Sequence, residues 1–216
     1  MVITGVERKR RQLYQLELDN EPAVEVDVRT FDESPYREGS EIDDDELYAL
    51  LLCSRRRRAR EKALWLLSAR DYAAGEMVAK LAPEAGQDIA EETVAALAEQ
   101  GLIREEVYAR RLAEEYCGRR HYPQKRAVLE MVRRGVDRDI AEQAVSENGS
   151  DDLQEALALL QKKRYTDTDK DKLRQKAFGF LARQGFDYST ARRAIERWSE
   201  EYAAGDPGDG GFADDR

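Results

Sequence analysis

Apolar and polar residues alternate with a period of two in Leu13-Tyr14-Gln15-Leu16-Glu17-Leu18-Asp19 and again in Ala23-Val24-Glu25-Val26-Asp27-Val28. Turn-forming residues Asp19-Asn20-Glu21-Pro22 lie between them. Successive side chains on a strand point to opposite faces, so this pattern predicts a hairpin with one apolar face, and Val2 to Val6 supply a third strand. Three short strands are marginal alone, and this piece is expected to lean on the next part of the chain. Residues 29 to 42 read as a polar connection containing Pro35 and Gly39. The acidic run Asp43-Asp44-Asp45-Glu46 then stands where a helix N-terminus favours negative charge. From Glu46 to Tyr202 the alternation disappears, and the chain reads as helices punctuated by short loops.

Comparison of this stretch with itself reveals a repeat. Met77-Val78-x-x-Leu81 and Ile89-Ala90-Glu91-Glu92-Thr93-Val94 match Val128-Leu129-x-x-Val132 and Ile140-Ala141-Glu142-Gln143-Ala144-Val145 at an offset of 51. At an offset of 50, Met131-x-x-x-Gly135-Val136-Asp137 and Ala141-x-x-Ala144-Val145 match Leu181-x-x-x-Gly185-Phe186-Asp187 and Ala191-x-x-Ala194-Ile195. Each copy opens with an apolar helical stripe: Ala59, Ala63, Leu64 and Leu67 in the first, Tyr108, Leu112 and Tyr116 in the second, Leu153, Leu157 and Leu160 in the third. A second helix ends at Gly135 or Gly185 as a left-handed cap requires, the next apolar residue folds back, and Asp137 or Asp187 caps a third helix. The expected fold class is therefore mainly α: an elongated array of three tandem three-helix, helix-turn-helix-like repeats with a small N-terminal β-hairpin region. The expected division is a β-rich segment over 1–45, repeats over 46–103, 104–149 and 150–202, and a disordered acidic tail over 203–216.

Composition narrows the function. The 216 residues contain two cysteines, Cys53 and Cys117, and a single histidine, His121. A zinc site or a Cys/His or Ser/His/Asp catalytic pair has almost no material, and His121 reads as an exposed loop residue. Neither a phosphate loop nor a GxGxxG turn is present. Asp43 to Glu46 lack the spacing of metal ligands and read as a helix cap. No apolar run is long enough to cross a membrane and no signal peptide opens the chain, so a cytoplasmic, non-enzymatic monomer without cofactor or metal is expected.

The net charge is −9, but it is unevenly distributed. Residues 1–50 hold 14 acids and 6 bases, whereas 110–138 hold nine bases and four acids. The run Arg55-Arg56-Arg57-Arg58 sits on a helix, where each residue turns about 100° from the last, so these side chains spread around the axis rather than form a patch. The segment Arg119-Arg120-His121-Tyr122-Pro123-Gln124-Lys125-Arg126 gathers cations where a loop enters a helix with Pro123 in its first turn, and Arg133, Arg134 and Arg138 continue the charge. In the third copy Lys162-Lys163-Arg164-Tyr165 and Lys170, Lys172, Arg174 and Lys176 occupy the equivalent place. The candidate partner-binding residues are Arg119, Arg120, Tyr122, Lys125, Arg126, Arg133, Arg134, Lys162, Lys163, Arg164, Lys172 and Lys176. The aromatic residues Trp65, Trp198, Tyr72, Tyr116 and Phe178 fall on apolar stripes and are expected in the core.

These residues resemble the RecX regulators of bacterial recombination from Ala59 to Trp198. The resemblance is carried by Arg70-Asp71-Tyr72 ahead of Glu76-Met77, by Ala96-Leu97-Ala98-Glu99-Gln100-Gly101-Leu102-Ile103 leading into Val107-Tyr108-Ala109, by Pro123 to Gly135, and by Gly185-Phe186-Asp187-Tyr188. It implies a protein that lies in the groove of the RecA recombinase filament on single-stranded DNA and reduces its ATP hydrolysis, strand exchange and co-protease activity. The residues themselves leave a second reading open, a sequence-independent DNA-binding module of helix-turn-helix-like repeats. Weak direct contact with DNA is compatible with either.

Overall fold

The computed structural model describes residues 1–10, 12–163 and 170–204. Arg164 and most of the expected tail, residues 205–216, lie outside them. The chain divides into two compact units, Met1–Glu105 and Glu106–Arg216. Among the described residues there are ten α-helices and one three-stranded antiparallel sheet. None of those helices is long and apolar enough to cross a membrane.

The first unit begins with strands β1 (Ile3–Arg10), β2 (Leu13–Leu18) and β3 (Glu21–Asp27), in the order β1-β2-β3. Asp19 and Asn20 both take positive φ, 51° and 68°, as the tight turn between β2 and β3 requires. The alternation buries Ile3, Leu16, Leu18 and Val26 on one face, where Phe31, Ile42 and Leu50 cover them. Phe31 comes from a helix the sequence pattern did not reveal: α1 (Val28–Glu33) lies inside the stretch expected to be a polar connection. It forms because Asp27, only 2% exposed, accepts from the Thr30 amide at 2.9 Å and the Thr30 hydroxyl at 3.0 Å. One cap thus starts a helix that amphipathic periodicity over six residues is too short to announce.

Leu50 comes from α2 (Asp44–Ala69), which Asp43 opens with a reciprocal capping box to Glu46. The N-terminal half of α2 covers the sheet, and its second half packs through Ala63, Leu66 and Leu67 on α3 (Ala74–Ala85) and α4 (Gln87–Glu99). The sheet is therefore supported by the same helix that opens the first three-helix set. The arginine run spreads as helical geometry demands. Arg56 pairs with Glu92 on α4 at 3.0 Å, Arg57 with Glu33 on α1 at 2.5 Å, and Arg58 with Glu84 on α3 at 3.9 Å. Two positions differ from expectation. Trp65 is 70% exposed and Leu64 is exposed beside it, because α2 buries the narrow stripe of Ala59 and Ala63 instead.

The second unit holds two further sets. The first comprises α5 (Glu105–Ala113), a π-helical turn (Glu114–Arg119), α6 (Gln124–Arg133) and α7 (Arg138–Asn148); the next comprises α8 (Asp152–Lys162), α9 (Lys170–Gln184) and α10 (Tyr188–Ala204). Glycine caps end α6 and α9 at φ 83° and 95°, and Val136 and Phe186 fold back to accept burial as their Schellman-like amides bond to Met131 and Leu181. Burial also corrects the repeat register in the second helix. Met77 and Leu81 on α3 share their fully buried positions with Ala127 and Met131 on α6 and with Ala177 and Leu181 on α9, an offset of 50 throughout. Leu129, aligned with Val78 by the 51-residue offset, is instead 44% exposed. The extra residue is absorbed in the connection, a single Gly86 between α3 and α4 but Arg134 to Asp137 between α6 and α7.

Candidate partner-binding site

The cationic segment follows the π-helical turn, whose wider path lets the adjacent residues Tyr116 and Cys117 both point inward. Burial pushes the Cys117 thiol above its ordinary range, and it raises the Tyr116 phenol against the pull of the nearby Arg134 and Arg120 guanidinia. Tyr116 is the centre of an aromatic and guanidinium stack. The Tyr122 ring lies nearly parallel to it at 5.7 Å, and Arg120 and Arg134 stand 5.3 Å and 5.5 Å from its centroid. On the far side Arg126 covers Tyr122 at 3.8 Å. Tyr122, half-buried, therefore stands as a spacer between the Tyr116 ring and the Arg126 guanidinium.

The third helical set holds this segment at three points. His121, at φ 54° and with 14% of its side chain exposed, places Nδ1 on the Glu155 carboxylate and Nε2 2.5 Å from Lys162 Nζ. It is a loop residue as expected, but a half-buried bridge rather than an exposed one. Pro123 precedes α6 and has no side chain able to cap it, so Asp152 of α8 accepts from the Gln124 amide at 2.8 Å, while the Gln124 side chain donates to the Ser150 carbonyl at 2.5 Å. Arg126 donates from Nη1 to the backbone carbonyl of Gln184 at 2.7 Å and to its side-chain Oε1 at 3.0 Å. That places a cation on the negative end of α9.

Of the named candidates, Arg126 and Tyr122 are thus engaged inside the unit. Arg119, Lys125, Arg133 and Arg134 face solvent, with Arg133 paired to Glu130 at 3.0 Å. Arg120 is exposed and bound to Glu115; Tyr122 and Glu115 hold its guanidinium more firmly protonated. On the third set Lys162 and Lys163 are exposed, the latter 4.1 Å above the Phe180 ring, and Lys172 and Lys176 are exposed four residues apart on α9. Exposed ion pairs are worth about 0–1 kcal/mol, so a carboxylate or phosphate of a partner can replace Glu130 at small cost. Sequence reasoning missed Asp152, Glu155 and Gln184, which supply the supports; their residue types are ordinary for helix termini, and only the helix packing brings them to the basic segment. Among the described residues no group of His, Cys, Asp and Glu is gathered as a metal ion would need.

Two other family-resembling motifs prove to be structural. Arg70 lies 3.7 Å over the Tyr72 ring and pairs with Glu76 at 2.5 Å, which braces the α2–α3 connection. Gly101, at φ 67°, lets the Leu102 and Ile103 amides return to the Leu97 carbonyl and buries Ile103.

A small sheet followed by tandem three-helix sets with a braced cationic segment defines a helical-repeat protein. The family model described as "RecX, third three-helix domain" matches residues 150–195. A regulatory protein RecX of Thermus thermophilus is 33% identical over 139 residues, covering 64% of this chain and 91% of that protein. The regulatory protein RecX of Clostridioides difficile (strain 630) is 28% identical over 207 residues, covering 91% of this chain and 95% of its own. The chain belongs to the RecX family. Its fold is similar to a crystal structure of regulatory protein RecX with a TM-score of 0.61 at 20% identity, covering 90% of this chain and 98% of that one. It is also similar to RecX from Lactobacillus salivarius with a TM-score of 0.60 at 22% identity, covering 68% and 99%.

Proposed function

We propose that this regulatory protein binds the RecA recombinase filament on single-stranded DNA and restrains its ATPase, strand-exchange and co-protease activities by docking, without covalent chemistry. The observation that carries this reading is the exposed cation set Arg119, Arg120, Lys125, Arg133 and Arg134, presented from a loop and helix braced by the next helical set. Bracing lowers the ordering cost of binding, since the segment does not have to be immobilised by its partner. Lys162, Lys163, Lys172 and Lys176 act as auxiliary contacts, and repeated weak contacts along a helical polymer add through avidity.

The test is the triple reversal Arg119→Glu, Lys125→Glu and Arg133→Glu, which spares the internal clamps. The concentration giving half-inhibition of RecA ATPase on single-stranded DNA is expected to rise at least about tenfold, roughly 1.4 kcal/mol, with the circular dichroism spectrum unchanged. Unchanged inhibition by a folded variant refutes this surface. Association that is equally strong with duplex DNA lacking recombinase, and that weakens steeply with salt, supports the DNA-binding module instead.

A further inference from the structure

Leu129 lies on the cationic face of α6 and is 44% exposed, with Lys125 one turn before it and Arg133 one turn after it, both facing solvent. Residues four apart on a helix stand about 6 Å apart along the axis and about 40° apart around it, so the three side chains form one stripe. Half-buried Val132 adjoins the leucine three positions on. The fold does not ask for a large apolar residue here. Met77 and Leu81 on α3, Ala127 and Met131 on α6, and Ala177 and Leu181 on α9 are buried at an offset of 50, which puts Ala79 and Gly179 at the place of Leu129. Gly75 and Gln175 stand at the place of Lys125, and Pro83 and Arg183 at that of Arg133. Of these three helices only α6 carries a leucine between two cations; the other two carry a small residue at the centre.

An exposed leucine leaves apolar surface in water, and a partner that covers it removes that surface. A phosphate backbone answers the two cations but offers no apolar seat between them. A protein surface supplies both, since interfaces place apolar contacts at the centre and polar ones at the rim. Arg133 is held only by its exposed pair with Glu130, at 3.0 Å, which a partner carboxylate can replace at small cost. We infer that Leu129 is the apolar anchor of the partner-binding surface, seated in a pocket of a protein whose rim presents carboxylates to Lys125 and Arg133. The inference rests on the filament reading and assigns this face of α6 to the recombinase protein rather than to the DNA it coats.

Two substitutions test it: Leu129→Ala, which installs the residue that α3 carries at this place, and Leu129→Lys, which extends the cationic stripe. Each is compared with the wild-type full chain by inhibition of RecA ATPase on single-stranded DNA, with the circular dichroism spectrum as the check on folding. Leu129→Ala is expected to raise the half-inhibiting concentration about five- to tenfold, by the same factor at low and high ionic strength, because salt does not screen an apolar contact. Leu129→Lys is expected to raise it at least as much, although attraction between charges alone would lower it. Leu129→Met, which keeps the volume, should stay within about threefold of wild type. Binding of dye-labelled (dT)20 without recombinase, read by anisotropy, should be the same in Leu129→Ala as in wild type. Wild-type inhibition by Leu129→Ala, stronger inhibition by Leu129→Lys, or a loss of (dT)20 binding in Leu129→Ala equal to its loss of inhibition overturns the inference. In each of these cases the filament reading stands if the triple reversal of Arg119, Lys125 and Arg133 still abolishes inhibition. A wild-type protein that does not inhibit RecA overturns both.

Discussion

Arg119 and Arg126 are seven residues apart in one basic segment, yet one faces solvent and the other is held by Tyr122 and Gln184. Arg126→Ala is expected to destabilise the second unit by about 1.5–3 kcal/mol, the range for hydrogen bonds to a charged group, whereas Arg119→Ala should stay within about 0.5 kcal/mol. Thermal unfolding followed by Trp198 fluorescence separates the two outcomes. Charge at a cap gives a second residue-scale prediction. Hydrogen bonds from the Ser189 hydroxyl, the Thr190 amide and the Thr190 hydroxyl hold the Asp187 carboxyl down to about 2. A folded-state value below the unfolded one stabilises the protein above the unfolded value, and that contribution is lost as pH falls toward the folded one. Asp187→Ala should therefore lower Tm near neutral pH, and its deficit relative to wild type should shrink as pH falls from about 4 to about 2. The capping role of Asp187 was legible from Gly-Phe-Asp, since caps are local. The fate of Arg126 was not, because its partner lies 58 positions away.

At the scale of elements, Gly185 joins two constraints. Its φ is 95°, and a Cβ there would stand 3.2 Å from Arg126 Cδ. Gly149 ends α7 at φ 69° with open space around it. Gly149→Ala should cost about 1–2 kcal/mol from backbone strain alone, and Gly185→Ala should cost more because the clamp must also shift. Denaturant midpoints of the two variants provide the comparison. The glycine ends of the second helices, the capping box at Asp43 and the hairpin turn at Asp19-Asn20 were all readable, because each depends on residues a few positions apart. Helix α1, the π-helical turn and the one-residue register of α3 against α6 were not. A six-residue helix has too few positions for a period, and which of Val128, Leu129 and Met131 turns inward depends on the neighbouring helix rather than on their similar hydrophobicity.

The whole molecule combines an acidic chain with cations gathered on particular surfaces, so binding to the anionic filament proposed as its partner should depend on ionic strength. If Arg119, Lys125 and Arg133 supply that attraction, the triple reversal should flatten the salt dependence of RecA inhibition as well as weaken it, measured by repeating the ATPase titration across ionic strengths. Three tandem helical sets, the sheet ahead of them and membership in the RecX family were already written in the order of residues, since helical pitch, strand alternation and glycine caps act over one or two turns. Packing decided the rest: it turned Trp65 outward, set His121, Tyr122 and Arg126 to bracing, and left Arg119, Lys125 and Arg134 facing solvent. Those assignments depend on which helix ends meet in three dimensions, and residues of the same type and local pattern carry no record of that meeting.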